Sequence, residues 1–180
     1  MNLTDRDPVP RTLPAPAAAE ARPAGLRTVV LGIGNTLLTD EGAGVHVVES
    51  LRRSYAGRDD VVLVDGGTLS FTLAGELHDA GRLIVVDAAQ LNAAAGTVEV
   101  RVGGAMDRFL TEKRTRSVHE VGLADLLQIA ALDGGLPRQR ALVAIQPQRV
   151  DWGELPTPAV AAAVAAARAA RRRLIEAWPE

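Results

Sequence analysis

The sequence predicts an α/β fold, a three-layer sandwich in which a mostly parallel sheet is buried between helices on both faces. Apolar, β-branched segments alternate along the chain with segments of helical periodicity. The strand segments lack polar alternation, as Val61–Asp65 illustrates, which is typical of strands covered on both faces. A chain of 180 residues is long enough for one such domain with a sizeable core.

The elements follow in a regular order after a proline- and alanine-rich leader. We expect residues 1–25 to be disordered and residues 26–180 to form a single domain. The segment between the fourth strand and Arg116 reads as irregular and charged. The predicted strands are Arg27–Ile33, Val61–Asp65, Arg82–Asp87, Thr97–Val102 and Ala141–Ile145, and the predicted helices are Asp40–Tyr55, Phe71–His78, Val118–Leu132 and Pro158–Trp178.

Composition excludes several classes of function. The formal net charge is -2, so no strong field favours nucleic acid or a membrane surface. There is no cysteine, which excludes disulfides, thiolate metal sites and a cysteine nucleophile. The longest strongly apolar run, Ala159–Ala167, is far shorter than the roughly 20 residues that a bilayer requires. We expect a cytoplasmic monomer.

The first strand–turn–helix resembles a nucleotide-binding loop only superficially. The strand ends in Gly32-x-Gly34-Asn35, but the acidic pair Asp40-Glu41 opens the following helix. A helix N-terminus binds phosphate through bare N–H groups and the positive end of its dipole, and carboxylates there repel an anion. The segment therefore predicts a cation site.

Acidic residues follow each of the first three strands, namely Glu41, Asp65 and Asp87. The carboxyl ends of parallel strands meet at one edge of the sheet, where ligands bind. Three carboxylates at that edge would repel one another without a cation or a basic partner. The alternative is that each is an ordinary helix N-cap.

A histidine lies at the start of a later helix. Ser117 and Glu120 form a capping-box pattern, which places His119 in the first helical turn. The positive helix end disfavours imidazolium, so His119 is expected to be neutral and able to bind a metal, unless it is only a surface or capping residue. We interpret His46 and His78, within helices, as structural.

Together these motifs resemble the hydrogenase maturation proteases, the endopeptidases that trim the large subunit of nickel–iron hydrogenases. Each motif is weak alone, but their order and spacing from the first strand to the last helix are specific. The motifs are Gly32–Asn35, Leu38–Gly44, Asp65–Thr68, Val85–Ala88, Ser117–Leu123 and Gln146–Pro147.

The resemblance implies a five-stranded twisted sheet with one antiparallel edge strand. It implies an endopeptidase that removes the C-terminal extension of a large-subunit precursor after nickel insertion. Nickel is expected to arrive bound to that precursor, and no organic cofactor is expected. The implied metal contacts are Glu41, Asp87 and His119, and the implied precursor-recognition segment is Asp65, Gly66, Gly67 and Thr68.

The attacking group is expected to be a water activated by a carboxylate, with Asp65 and Asp87 as candidates for the base. Two alternatives stay open. One is another hydrolase on a similar scaffold, such as a peptidyl-tRNA hydrolase, although that should show a basic groove beside the glycine turn. The other is a non-catalytic nickel-sensing or docking module that uses the same three ligands.

Overall fold

The computed structural model describes residues 27–68, 73–78, 80–113, 118–132 and 134–178. Five strands form one sheet in the order β2-β1-β3-β5-β4, in which β4 runs antiparallel to β5 and all other pairs are parallel. The strands are β1 (Thr28–Gly32), β2 (Val61–Asp65), β3 (Arg82–Ala88), β4 (Val98–Val102) and β5 (Gln139–Ile145). The helices are α1 (Ala43–Leu51), α2 (Ala74–His78), α3 (Gly104–Lys113), α4 (Val118–Leu132) and α5 (Pro158–Ala177), with 3-10 turns at Thr39–Gly42 and Arg52–Tyr55.

The fold class and the antiparallel edge strand are confirmed. Alternate strand residues point to opposite faces, so each central strand contributes to two cores. Leu31, Val85 and Leu142 pack on the face covered by α2, α3 and α4. Val30 and Ile84 pack on the face covered by α1 and α5. We call these the α4 face and the α1 face.

One prediction about the chain's organisation is wrong. The segment after β4, expected to be irregular, forms helix α3. Met106, Phe109 and Leu110 have the i, i+3, i+4 spacing of one helical stripe, and all three are buried. Gly103 ends β4 with a φ of 51°, which turns the chain into this helix. The charged residues on the outer face of α3 obscured the stripe.

The predicted helix Asp40–Tyr55 is three pieces, since a 3-10 turn precedes α1 and another follows it. The leader at residues 1–25 and the first two residues of the predicted helix Phe71–His78 lie outside the described residues. Across the described ranges, none of the helices has the length and apolar content needed to span a membrane.

Candidate active site

The carboxyl ends of β1, β2, β3 and β5 lie at one edge of the sheet, and two glycine turns meet there. The N–H of Gly34 donates to the carbonyl of Gly67 at 2.7 Å, and the N–H of Gly66 donates to the carbonyl of Gly32 at 2.8 Å. The turn after β1 is therefore bonded through its backbone to the Asp-Gly-Gly-Thr turn after β2.

The 3-10 turn that carries Glu41 is seated on this edge by close backbone contacts. A Cβ atom at Gly34, whose φ is 136°, would lie 1.9 Å from the carbonyl oxygen of Glu41. A Cβ atom at Gly44 would lie 2.1 Å from the carbonyl oxygen of Val86. Only glycine permits these approaches. They place the turn that carries Glu41 beside the end of β3, which carries Asp87. Glu41 is half-buried, and its Oε2 atom is buried.

Asp65 and Asp87 leave the sheet on opposite faces. Gly32 is in register with Asp65 on one side and with Val86 on the other, so Asp65 points to the α1 face. Asp87, one residue further on, points to the α4 face and is 2% exposed. Asp65 is exposed, and its Oδ1 accepts a hydrogen bond of 2.9 Å from the N–H of Gly67. Asp65 thus shapes the turn after β2.

His119 is the second residue of α4, and its side chain lies outside the described residues. The last turns of α4 line a cavity with Arg140 at the start of β5. A helix of 15 residues is about 22 Å long, so α4 runs from there back toward the carboxyl edge, on the face to which Asp87 points. The predicted capping pair Ser117 and Glu120 also lies outside the described side chains.

The other two histidines occupy different ends of the molecule. His46 lies on α1 with its Nε2 atom buried, 3.3 Å from the position that a Cβ atom of Gly42 would take. It is therefore beside the turn that carries Glu41, closer to the site than its place within a helix suggested. His78 is exposed at the end of α2 and contacts Gly135, near the opposite edge of the sheet.

Glu41, Asp87 and His119 remain a predicted metal-binding set. Among the side chains that the structure describes, no group of three or more His, Asp and Glu residues is placed to hold a metal ion. The side chain of His119 is not among those described. The backbone positions are compatible with the prediction, because all three residues belong to segments at or directed toward one edge.

Asp40, the other acid of the Asp40-Glu41 pair that predicts a cation site, is used to hold a loop. It is fully buried, and its carboxylate accepts four hydrogen bonds from the chain between β5 and α5. Oδ1 accepts from the N–H of Thr157 at 2.6 Å, while Oδ2 accepts from the N–H groups of Gln148 and Arg149 at 2.8 and 3.1 Å and from the Thr157 hydroxyl at 2.9 Å. Burial raises the pKa of Asp40, but these hydrogen bonds outweigh it and hold the pKa below its usual value.

Thr39 holds the same loop from its other side. Its hydroxyl donates to the carbonyl of Arg149 at 3.1 Å and accepts from the N–H of Asp151 at 3.2 Å. Its own N–H donates to the carbonyl of Gly153 at 2.6 Å. Thr39 has a φ of 41°, a conformation that costs a non-glycine residue of order 1 kcal/mol or more. Thr39 and Asp40 together fix residues 148–157, which we call the 148–157 loop. No local pattern signals these contacts.

The fold is an α/β sandwich with carboxylates at the carboxyl edge of its sheet, which is where such folds bind their ligands. Comparison with known proteins is more specific. A family model described as HycI, hydrogenase maturation protease, matches residues 45–171. The chain belongs to the hydrogenase maturation protease family, whose members are endopeptidases.

Individual relatives agree with this assignment. The hydrogenase expression/formation protein HoxM of Azotobacter vinelandii is 39% identical over 150 residues, which are 82% of this chain and 72% of that protein. The hydrogenase 2 maturation protease of Escherichia coli (strain K12) is 36% identical over 140 residues, 77% of this chain and 84% of that one. The solved structure of the hydrogenase maturating endopeptidase HybD from E. coli superposes with a TM-score of 0.75 at 35% identity, covering 82% of this chain and 93% of that chain.

Proposed function

We propose that this protein removes the C-terminal extension of a nickel–iron hydrogenase large-subunit precursor after nickel has been inserted. The observation that carries the proposal is the likeness to the E. coli maturating endopeptidase, which extends over 93% of that chain at 35% identity. The partner is the large-subunit precursor, and we propose that the protein meets it as a monomer in the cytoplasm.

Nickel enters this proposal as part of the substrate. Two carboxylates and an imidazole are oxygen and nitrogen donors, a set that suits nickel when other positions are filled by a second molecule. We propose that Glu41, Asp87 and His119 complete the coordination of nickel already held by the precursor. Support comes from the seating of the Glu41 turn beside the end of β3 and from the burial of Asp87 at that edge. Cleavage would then depend on a loaded metal.

Hydrolysis requires an attacking group, and the sequence contains no cysteine to supply one. We propose that the attacking group is a water activated by a carboxylate. Of the two predicted bases, Asp87 is the better placed, since it is buried and points to the α4 face. A carboxylate has two oxygens, so one can contact the metal while the other accepts the proton of water. Asp65 lies on the other face, and we propose that with Gly66, Gly67 and Thr68 it forms the turn that recognises the precursor.

The direct test incubates the protein with nickel-loaded precursor and identifies the released tail peptide by mass spectrometry. Wild-type protein is expected to release it, and Asp87→Asn is expected to lower the rate by about 100-fold or more, as the loss of a positioned general base does. Glu49→Gln, which changes an exposed carboxylate on α1, should leave the rate unchanged. Binding of the precursor without any released peptide would favour the non-catalytic docking alternative.

A further inference from the structure

Four large apolar side chains are exposed on two adjoining segments near the carboxyl edge. Trp152 is 83% exposed and Leu155 80%, whereas Leu37 and Val150 are each 50% exposed. Single exposed apolar residues are common on protein surfaces, but a cluster that includes a nearly bare tryptophan marks a surface for interaction. We call these four residues the apolar patch.

Backbone pairing joins the two segments that carry the patch. Leu38 and Gly153 form an isolated parallel bridge, and the N–H of Gly153 donates to the carbonyl of Leu37 at 2.9 Å. The residues just before this bridge on the two segments, Leu37 and Trp152, are therefore neighbours. Val150 and Leu155 flank Trp152 along the same loop.

The patch is held rigidly, because the 148–157 loop is fixed by Asp40 and Thr39. A fully buried carboxylate and a threonine at positive φ are both used to hold a loop whose largest side chains face solvent. The contacts of Asp40 and Thr39 leave the four side chains of the apolar patch exposed. A preorganised surface of this kind loses little conformational entropy when a partner binds, so more of its apolar contact area contributes to affinity. Tryptophan is the residue type most often found at the energetic centre of such interfaces.

The position of the patch identifies the occupant. Thr39, which carries one set of loop contacts, is two residues from Glu41, so the patch borders the proposed cleavage site. A protein substrate bound at Glu41 would lie close to it. The loop carries three charged residues: Arg149 and Asp151 lie 4.0 Å apart and offset each other, and the exposed Glu154 lies between Trp152 and Leu155. The patch itself consists of apolar side chains, so we expect recognition by those side chains to be apolar.

We propose that the apolar patch docks an apolar surface of the folded large-subunit precursor next to its C-terminal tail. This rests on the proposed function and adds a site that lies outside the predicted metal and recognition residues. The patch contributes binding energy in both the ground state and the transition state, so its loss raises KM without lowering kcat.

The test compares wild-type protein with the double variant Trp152→Ala/Leu155→Ala. Affinity for nickel-loaded precursor is measured by calorimetry, and KM and kcat by tail release. The matched control is Leu132→Ala, because Leu132 is 89% exposed but ends α4 at the far edge of the sheet. The double variant should raise both Kd and KM about 10- to 100-fold, as the loss of a tryptophan-centred contact does. Its kcat should be unchanged, and the control should stay within about twofold of wild type, as surface changes usually do.

Each remaining outcome would overturn either the docking proposal or the proposed function. If the double variant binds and cleaves as wild type does, the docking proposal fails while the proposed function stands. If wild-type protein neither binds nor cleaves the precursor, the proposed function fails and the docking proposal with it. If sedimentation shows that the substitutions convert a wild-type dimer to a monomer while precursor affinity is unchanged, the patch is a contact between copies of this chain. Matching thermal unfolding of both variants shows that their folds are intact.

Discussion

Asp40 offers the sharpest test of the physical account, because its single carboxylate makes most of the side-chain hydrogen bonds that hold the 148–157 loop. Its two oxygens accept four hydrogen bonds from Gln148, Arg149 and Thr157. The substitution Asp40→Asn keeps the shape of the side chain but replaces one oxygen by an NH2 group, which can only donate. Whichever way the amide is turned, that group faces at least one buried donor of the loop.

The expected cost follows from these contacts. The better orientation keeps the amide oxygen in the place of Oδ2 and leaves the N–H of Thr157 facing another donor, which costs about 1–3 kcal/mol. The three remaining hydrogen bonds change from charge-assisted to neutral and weaken by about half each. The amide is easier to bury than the carboxylate, which offsets part of this loss. We expect a net destabilisation of about 3 kcal/mol, equivalent to a fall of about 6–12 °C in Tm for a chain of this size.

The assay is urea and thermal unfolding followed by circular dichroism at pH 7. The control is Asp151→Asn in the same loop, because Asp151 is well exposed and its ion pair with Arg149 is long. It should change the free energy of unfolding by less than about 0.5 kcal/mol, as exposed ion pairs do. Equal stability of Asp40→Asn and wild type would refute the statement that Asp40 fixes the 148–157 loop.

Three further predictions follow from the same geometry. The hydrogen bonds lower the pKa of Asp40 in the folded state, so its contribution to stability is present above about pH 4 and is lost as pH falls through the folded pKa. The difference in unfolding free energy between wild type and Asp40→Asn should therefore shrink between pH 7 and pH 3. A constant difference would contradict this. Gly34→Ala should cost about 3 kcal/mol in urea unfolding, because its Cβ atom meets the carbonyl of Glu41 at positive φ, whereas Gly57→Ala, at positive φ in open space, should cost about 1 kcal/mol. Asp65→Asn should keep its hydrogen bond from the turn after β2 and retain tail release within about threefold of wild type, whereas the loss of a general base lowers the rate by about 100-fold or more.

Much of the fold could be predicted, because hydrophobic periodicity reports directly on burial. Val61–Asp65 and Val118–Leu132 match the predicted elements, and the α/β class follows from strands that are apolar on both faces. Helix α3 was missed because its buried stripe of Met106, Phe109 and Leu110 lies among charged residues. Three apolar positions in a short segment are too few to indicate a helix when the residues around them are charged.

The site was predictable in outline but not in detail. The acids at the strand ends, Glu41 and Asp87, do follow elements that meet at one edge. Strand register, which no local pattern shows, places Asp65 on the opposite face from Asp87. The role of Asp40 was hidden for a related reason, since its partners lie 108 to 117 residues away along the chain.

We propose that this protein cleaves its precursor only when nickel is present, and that Glu41, Asp87 and His119 recognise the metal. The most direct measurement offers the same purified precursor, with and without nickel, to wild-type protein and quantifies the released tail peptide. We predict release from the nickel-loaded form and little or none from the nickel-free form. Equal release from both forms would contradict the claim, since the three residues would then have no metal to recognise.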